Sequence, residues 1–168
     1  MLQTAIKSLY QLIFDYSYFG KPSQWLILAL LLFKSSPVIA ETPLKIVVDR
    51  SNLARTITAG GTSGGDTPVR KITQIKNTAT GHCNGYVRLQ PNHFLELGSA
   101  FDFLRLQVES SADTTILVRG PGGVWCNDDA GTANPLIEGQ WQSGIYQIWV
   151  GSYQAETNKD YQLKITGR

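Results

Sequence analysis

Within Gly61-Thr-Ser-Gly-Gly-Asp66 a serine stands between glycines, the arrangement that presents an acyl-transfer nucleophile when an acidic residue precedes it. Such a serine works only where a positioned base and oxyanion donors converge on it. Here Thr62 occupies the place of the acid, only a short stretch of mature chain precedes Ser63, and both histidines lie downstream. The run therefore reads as a glycine-rich linker, and no catalytic role is expected for Ser63.

Asp113, Asn127, Asp128 and Asp129 form the second group with chemical capacity. Calcium takes about six to eight oxygens, supplied by clustered carboxylates, amides and loop carbonyls. These four residues are the candidate ligands of a structural Ca²⁺, while turn formation by Asp and Asn is the simpler account of the same residues. Asp128 and Asp129 fail as an acid/base pair. Adjacent residues on an extended chain point apart, whereas a glycosidase places its two carboxyl groups on opposite sides of one bond. Asp102 and Glu138 have no spacing that would recruit them. His82 and His93 fit no zinc-ligand pattern and are expected at polar surface or capping positions.

Cys83 and Cys126 are the two cysteines of the chain, 43 positions apart, with no CxxC and one histidine beside them. An even pair in an exported chain is expected to close a disulfide. Among the aromatic residues, Tyr146 and Trp149 fall inside the most apolar run and are expected in the core. Trp125, Trp141 and Tyr153 stand near turns and are the candidate ligand-binding platforms, since a rigid ring buries much area at small entropic cost.

The placement of the charges points the same way. Trp25 to Phe33 is an unbroken apolar run after Lys21, followed by Ser35-Ser-Pro37 and then Val38-Ile39-Ala40, small enough for cleavage before Glu41. This is the layout of a secretory signal. The run is about half of the ~20 residues that cross a bilayer, so membrane attachment is expected only if cleavage fails. Removing Lys7, Lys21, Lys34 and Asp15 with the leader leaves twelve basic and twelve acidic side chains, a net charge of zero. A nucleic-acid partner, which needs a concentrated basic surface, is excluded on that ground.

The elements that must position these residues are strands. Leu104, Leu106 and Val108 alternate with Arg105, Gln107 and Glu109, and Tyr161, Leu163 and Ile165 alternate with Gln162, Lys164 and Thr166. Each run can bury one face. Ile116 to Val118 and Tyr146 to Val150 are apolar on both faces, as in strands covered on both sides. Turn residues separate the runs at 120–123, 127–131, 143–144 and 157–160. Strands are predicted at 44–48, 53–57, 68–75, 86–89, 93–97, 102–109, 114–119, 123–127, 135–141, 144–151 and 160–166, with no amphipathic helix after Ala40. The expected organisation is a signal peptide over 1–40, an N-terminal extension and Gly-rich linker over 41–66, and one sandwich over 67–168.

Asp113-Thr-Thr-Ile-Leu-Val-Arg-Gly-Pro-Gly-Gly123, Trp125-Cys-Asn-Asp-Asp129, Asn134-Pro135 and Gly144-Ile-Tyr-Gln-Ile-Trp-Val-Gly-Ser-Tyr153 resemble the bacterial pre-peptidase C-terminal domain. The likeness covers roughly 86–166. Upstream, Gly81-His-Cys-Asn-Gly-Tyr-Val87 and Pro91-Asn-His-Phe94 resemble a branch of small secreted proteins common in cyanobacteria. The resemblance implies an all-β, antiparallel, jelly-roll-like β-sandwich, which the reading of residues 1–40 places behind an N-terminal signal or hydrophobic helix. It also implies attachment to secreted proteases, and in some members collagen or calcium binding, while here the module is expected to stand alone.

The function expected from these readings is a non-catalytic, secreted or periplasmic module that binds an extracellular protein or glycan, with no cofactor expected and a structural Ca²⁺ as the alternative to that. A structural envelope protein without a specific ligand is the alternative, and an accessory part of a secreted peptidase system is the remote one.

Overall fold

The computed structural model describes residues 42–168. The signal or hydrophobic helix over 1–40 and the cleavage point after Ala40 lie outside the described residues.

Alternation builds the first sheet. Leu104, Leu106 and Val108 of β8 (Phe101–Ser110) are fully buried, as are Leu163 and Ile165 of β13 (Asp160–Gly167), while the residues between them face outward. These two strands pair antiparallel from Tyr161↔Ser110 to Gly167↔Leu104. β11 (Leu136–Trp141) adds to the free side of β8 and β2 (Ile57–Thr62) to that of β13, giving the order β11-β8-β13-β2. The outer face is polar and carries two cross-strand ion pairs, Arg105–Glu138 and Lys164–Glu109, each at 2.7 Å.

The second sheet packs its apolar face on the first. It runs β1 (Leu44–Val48), β7 (His93–Leu97), β12 (Gly144–Ser152), β9 (Thr114–Gly120) and β10 (Gly123–Asn127). β6 (Tyr86–Val87) and β3 (Thr67–Pro68) extend it from the Ser152 end of β12. All these pairs are antiparallel except β1 with β7, which is parallel. The core between the sheets includes Leu95, Leu104, Leu106, Ile116, Ile148, Leu163 and Ile165, each at most 1% exposed. Burial of this kind is worth about 1.5–3 kcal/mol per large aliphatic side chain and fixes the register of both sheets, because a one-residue slip would turn every such side chain to water.

β9 and β12 are covered on both faces, as their two-sided apolar pattern requires. Ile116, Val118, Ile148 and Val150 enter the main core. Leu117 and Trp149 point the other way and are buried with Val69, Cys83, Val87 and Cys126 in a second, smaller core. Its lid is the segment between β3 and β6, which contains helix α1 (Val69–Thr73) and the hairpin of β4 (Asn77–Thr78) and β5 (Gly81–His82).

Several expectations are corrected. The strand predicted over 68–75 is a short β3 followed by α1. Val69 and Ile72 recur at helical spacing and both meet the second core, Pro68 enters at φ −55°, and Gln74 ends the turn in the left-handed region at φ 57°. The strand predicted over 53–57 is displaced, since 50–54 is a turn and β2 begins at Ile57. The extension and linker expected over 41–66 is not separate from the sandwich from Leu44 onward, because β1 pairs with β7 and β2 with β13. Gly65, at φ 147°, lies so close to the Val87 carbonyl that a Cβ would collide with backbone, so this glycine pair is a packed junction. His93 is not a surface or capping residue. It is 1% exposed and joins the two sheets through a 2.7 Å hydrogen bond between its Nε2 and the Tyr161 hydroxyl.

Candidate functional site

The lid over the second core is pinned to β10 at one covalent point. Cys83 follows β5, Cys126 lies on β10, and they form a disulfide with Cα atoms 5.0 Å apart. Around it the polar groups of the lid are satisfied by β10 and its following loop. The Thr80 hydroxyl donates to the Cys126 carbonyl at 2.8 Å, and the Cys126 amide donates to the Thr78 hydroxyl at 3.1 Å. Arg119 closes the other side, donating to the Ile72 carbonyl at 2.7 Å while its guanidinium lies 5.8 Å from the Trp149 ring centroid.

These restraints shape a concavity of about 380 Å³ whose lining includes Pro68, Arg70, Cys83, Asn84, Tyr86 and Tyr153. Arg70, on α1, donates to the Asn84 Oδ1 at 2.7 Å, and the Asn84 amide donates to the Asp128 Oδ2 at 2.7 Å. Arg70, Asn84 and Asp128 thus form one chain of charge-assisted hydrogen bonds from the helix to the loop after β10. Tyr153 stands just past the end of β12, its amide held by the Asp113 carbonyl at 3.1 Å and the residue 46% exposed.

The candidate calcium ligands divide by role. Asn127 is buried and engaged at both ends of its amide, donating to the Thr80 carbonyl at 2.7 Å and accepting from the Leu136 amide at 3.0 Å. Asp128 is buried with Asn84 as its partner, and Asp113 and Asp129 are exposed. Desolvation pushes the Asp113 carboxyl above the ordinary aspartate range, and the charges of Asp129 and Asp128 add to the shift. The three carboxylates share one electrostatic neighbourhood, yet no group of three or more His, Cys, Asp or Glu among the described residues is placed to hold a metal ion.

The aromatic candidates divide too. Tyr153 is exposed as expected, but Trp141 is 6% exposed and belongs to the main core. It follows Ile137 and Gly139 on the inward side of β11, donates its indole N–H to the Leu104 carbonyl at 3.0 Å, and meets Phe101 across a bulge. Trp125 lies half-buried against the same core, with ring centroids 5.9 Å from Trp141 and 6.2 Å from Tyr146. These three rings close the sandwich at the far end of β10. Tyr146 and Trp149 are buried as expected. Sequence reasoning missed Arg70, Asn84 and Tyr86, whose nearest signal was the position of Asn84 and Tyr86 one and three residues after Cys83.

The residues weighed for catalysis stand apart. Ser63 is fully buried, its hydroxyl 3.0 Å from that of Ser152 and accepting from the Lys159 amide at 3.3 Å. His82 is exposed, with its Nδ1 2.6 Å from the Asn77 Oδ1.

No family model matches the chain. An uncharacterized protein of Synechococcus elongatus is 32% identical over 88 residues, which is 50% of this chain and 65% of that relative's length. In structure, the chain is similar to the pre-peptidase C-terminal domain of a collagenase from Bacillus anthracis. The identity is 13% and the TM-score 0.46, with 76% of this chain and 97% of that domain covered. It is also similar to PliG of Aeromonas hydrophila, a periplasmic inhibitor of g-type lysozyme, at 14% identity and a TM-score of 0.43, over 76% of this chain and all of that one. The chain is a β-sandwich with a sequence relative in a cyanobacterium and a structural likeness to a pre-peptidase C-terminal domain.

Proposed function

We propose that this chain is a non-catalytic binding module of the extracytoplasmic space that takes a protein or glycan ligand at the concavity of Arg70, Asn84, Tyr86 and Tyr153. The observation that carries the reading is the 46% exposure of Tyr153 at the edge of a cavity of about 380 Å³ also lined by Tyr86. An exposed, rigid ring gains contact area at little conformational cost. A guanidinium carries five N–H donors, about one of which is used by Asn84, so Arg70 adds directional hydrogen bonds beside the rings. The disulfide holds the wall in place before a ligand arrives, which lowers the cost of binding. The same bond supports a secreted or periplasmic location, where thiols are oxidised. The burial of Ser63 and His93 inside the fold supports a module without catalysis.

The test is a screen of the full chain against immobilised glycans and a panel of extracellular and periplasmic proteins, with Tyr153→Ala beside the wild type. A partner whose affinity falls about tenfold or more in the variant is the expected result. Partners indifferent to Tyr153→Ala would contradict the site. The structural envelope reading is favoured by one observation, the burial of Trp141 in the main core, which removes a second platform from the surface. An empty screen would support it.

A further inference from the structure

A sheet edge left bare pairs with other chains, and most edges of this sandwich carry a guard against it. On β1 the Asn52 side chain donates to the Val47 carbonyl at 3.0 Å and accepts from the Asp49 amide at 3.1 Å. On β10 the Cys126 amide donates to the Thr78 hydroxyl, and the Cys126 carbonyl accepts from that of Thr80. β11 is interrupted by the bulge between Gly139 and Trp141. β3 is two residues long and ends in Pro68, which has no amide to offer.

β2 differs. The Ser63 amide donates to the Lys159 carbonyl at 2.8 Å, in step with the β2–β13 register, and antiparallel pairs alternate between bonded and unbonded residues. The backbone groups of Ile57, Ala59 and Gly61 therefore face β13, and those of Thr58, Gly60 and Thr62 face outward. Asn92 caps the Thr62 carbonyl at 3.2 Å. Thr58 and Gly60 are exposed, and among the described residues no strand pairs with β2 on that side. No charged residue stands between Ile57 and Ser63 to repel a second strand.

The open groups are complementary to themselves. In an antiparallel pair centred on Ala59, Thr58 of one copy lies opposite Gly60 of the other, and the twofold axis repeats the match. Such pairs exchange both hydrogen bonds, so each open amide and carbonyl meets its counterpart. The same register sets branched Ile57 opposite Gly61, which has no side chain, and brings the two small Ala59 side chains together at the axis.

We propose that β2 is a self-association edge, separate from the concavity beside the disulfide, through which two copies join their four-stranded sheets into one. So short a pairing buries less than the about 800 Å² per partner of a standard interface, and the dimer should form with a Kd on the order of 100 µM. Sedimentation equilibrium of the full chain from about 10 µM to 1 mM tests this, with amide NMR at both ends of the range. A dimer is expected, with concentration-dependent shifts centred on Thr58 and Gly60. Gly60→Pro deletes an edge amide that β13 does not use. It removes two hydrogen bonds per dimer and should weaken association about tenfold or more. Gly60→Lys should do the same by placing a charge on the edge, while Gly60→Ala should keep the dimer. A Cβ at this position meets nothing nearer than the Tyr161 carbonyl at 3.7 Å, and melting curves establish that the variants fold. A chain monomeric at about 1 mM, its edge left to a strand of another protein, would overturn the proposal. So would a dimer unchanged in either folded variant, one lost equally in Gly60→Ala, or shifts centred on Val47 and Ile145 instead.

Discussion

Opening the Cys83–Cys126 bond by reduction removes one covalent restraint and leaves every side chain otherwise intact. The loop it closes spans 43 positions. The loss of denatured-state entropy on closing such a loop corresponds to about 4 kcal/mol at room temperature. Both sulfurs lie in the second core, each cysteine 1% exposed, so the packing of Val69, Leu117 and Trp149 around them should survive in the reduced folded state. The cost of reduction should therefore appear mainly as a change in unfolding free energy. With a urea m-value of about 2 kcal/mol per molar, the midpoint should fall by about 2 M. Urea unfolding with and without reductant measures the global term. Hydrogen exchange locates the local one, which should fall on the lid, including the amides of Val69 and Cys83 that bond to the carbonyls of Gly85 and Lys76. A change below about 1 kcal/mol, or exchange that accelerates in β8 and β13 but not in the lid, would refute the reasoning.

Leu117→Ala, which hollows the second core at a fully buried position, should cost about 2–5 kcal/mol in urea unfolding. Tyr161→Phe removes the hydrogen bond that joins the sheets at His93 and should cost about 1–3 kcal/mol by the same measurement. Asp113 has a folded pKa above its unfolded one, so between the two values the folded state holds more protons and stability falls as pH rises. Asp113→Asn should accordingly raise the melting temperature at pH 7 and match the wild type at about pH 3, below both values. Equal shifts at both pH values would remove the electrostatic cause. Millimolar Ca²⁺ against EGTA should leave the melting temperature of the wild type unchanged, and a rise would restore Asp113, Asp128 and Asp129 as ligands.

The strands that alternate cleanly were legible because their partners in the core are supplied by the same period. β1, β7 and β10 occur at the residues expected, and β8, β9, β12 and β13 agree to within a residue or so at each end. The two-sided runs of β9 and β12 announced a cover on both faces. What covers the outer face was not legible, because the lid over 69–85 is held by a disulfide, by Arg119 and by side-chain bonds to β10, and these leave no periodic trace. Trp141 was judged by its nearness to a turn, although Ile137, Gly139 and Trp141 already shared a parity that pointed it inward. Asn84 and Tyr86 are neighbours in the chain, but Arg70 and Tyr153 meet them only where α1 folds over the second core and β6 pairs with the end of β12, so no spacing in the chain could have grouped all four.

Once the binding screen yields a partner, its footprint on the amide NMR spectrum tests the central claim directly. Shifts and broadening gathered on Arg70, Asn84, Tyr86 and Tyr153, with the polar outer face of β8 and β13 silent, are the predicted result. A footprint on that polar face, or on the exposed Val47 and Ile145 of the other sheet, would contradict it.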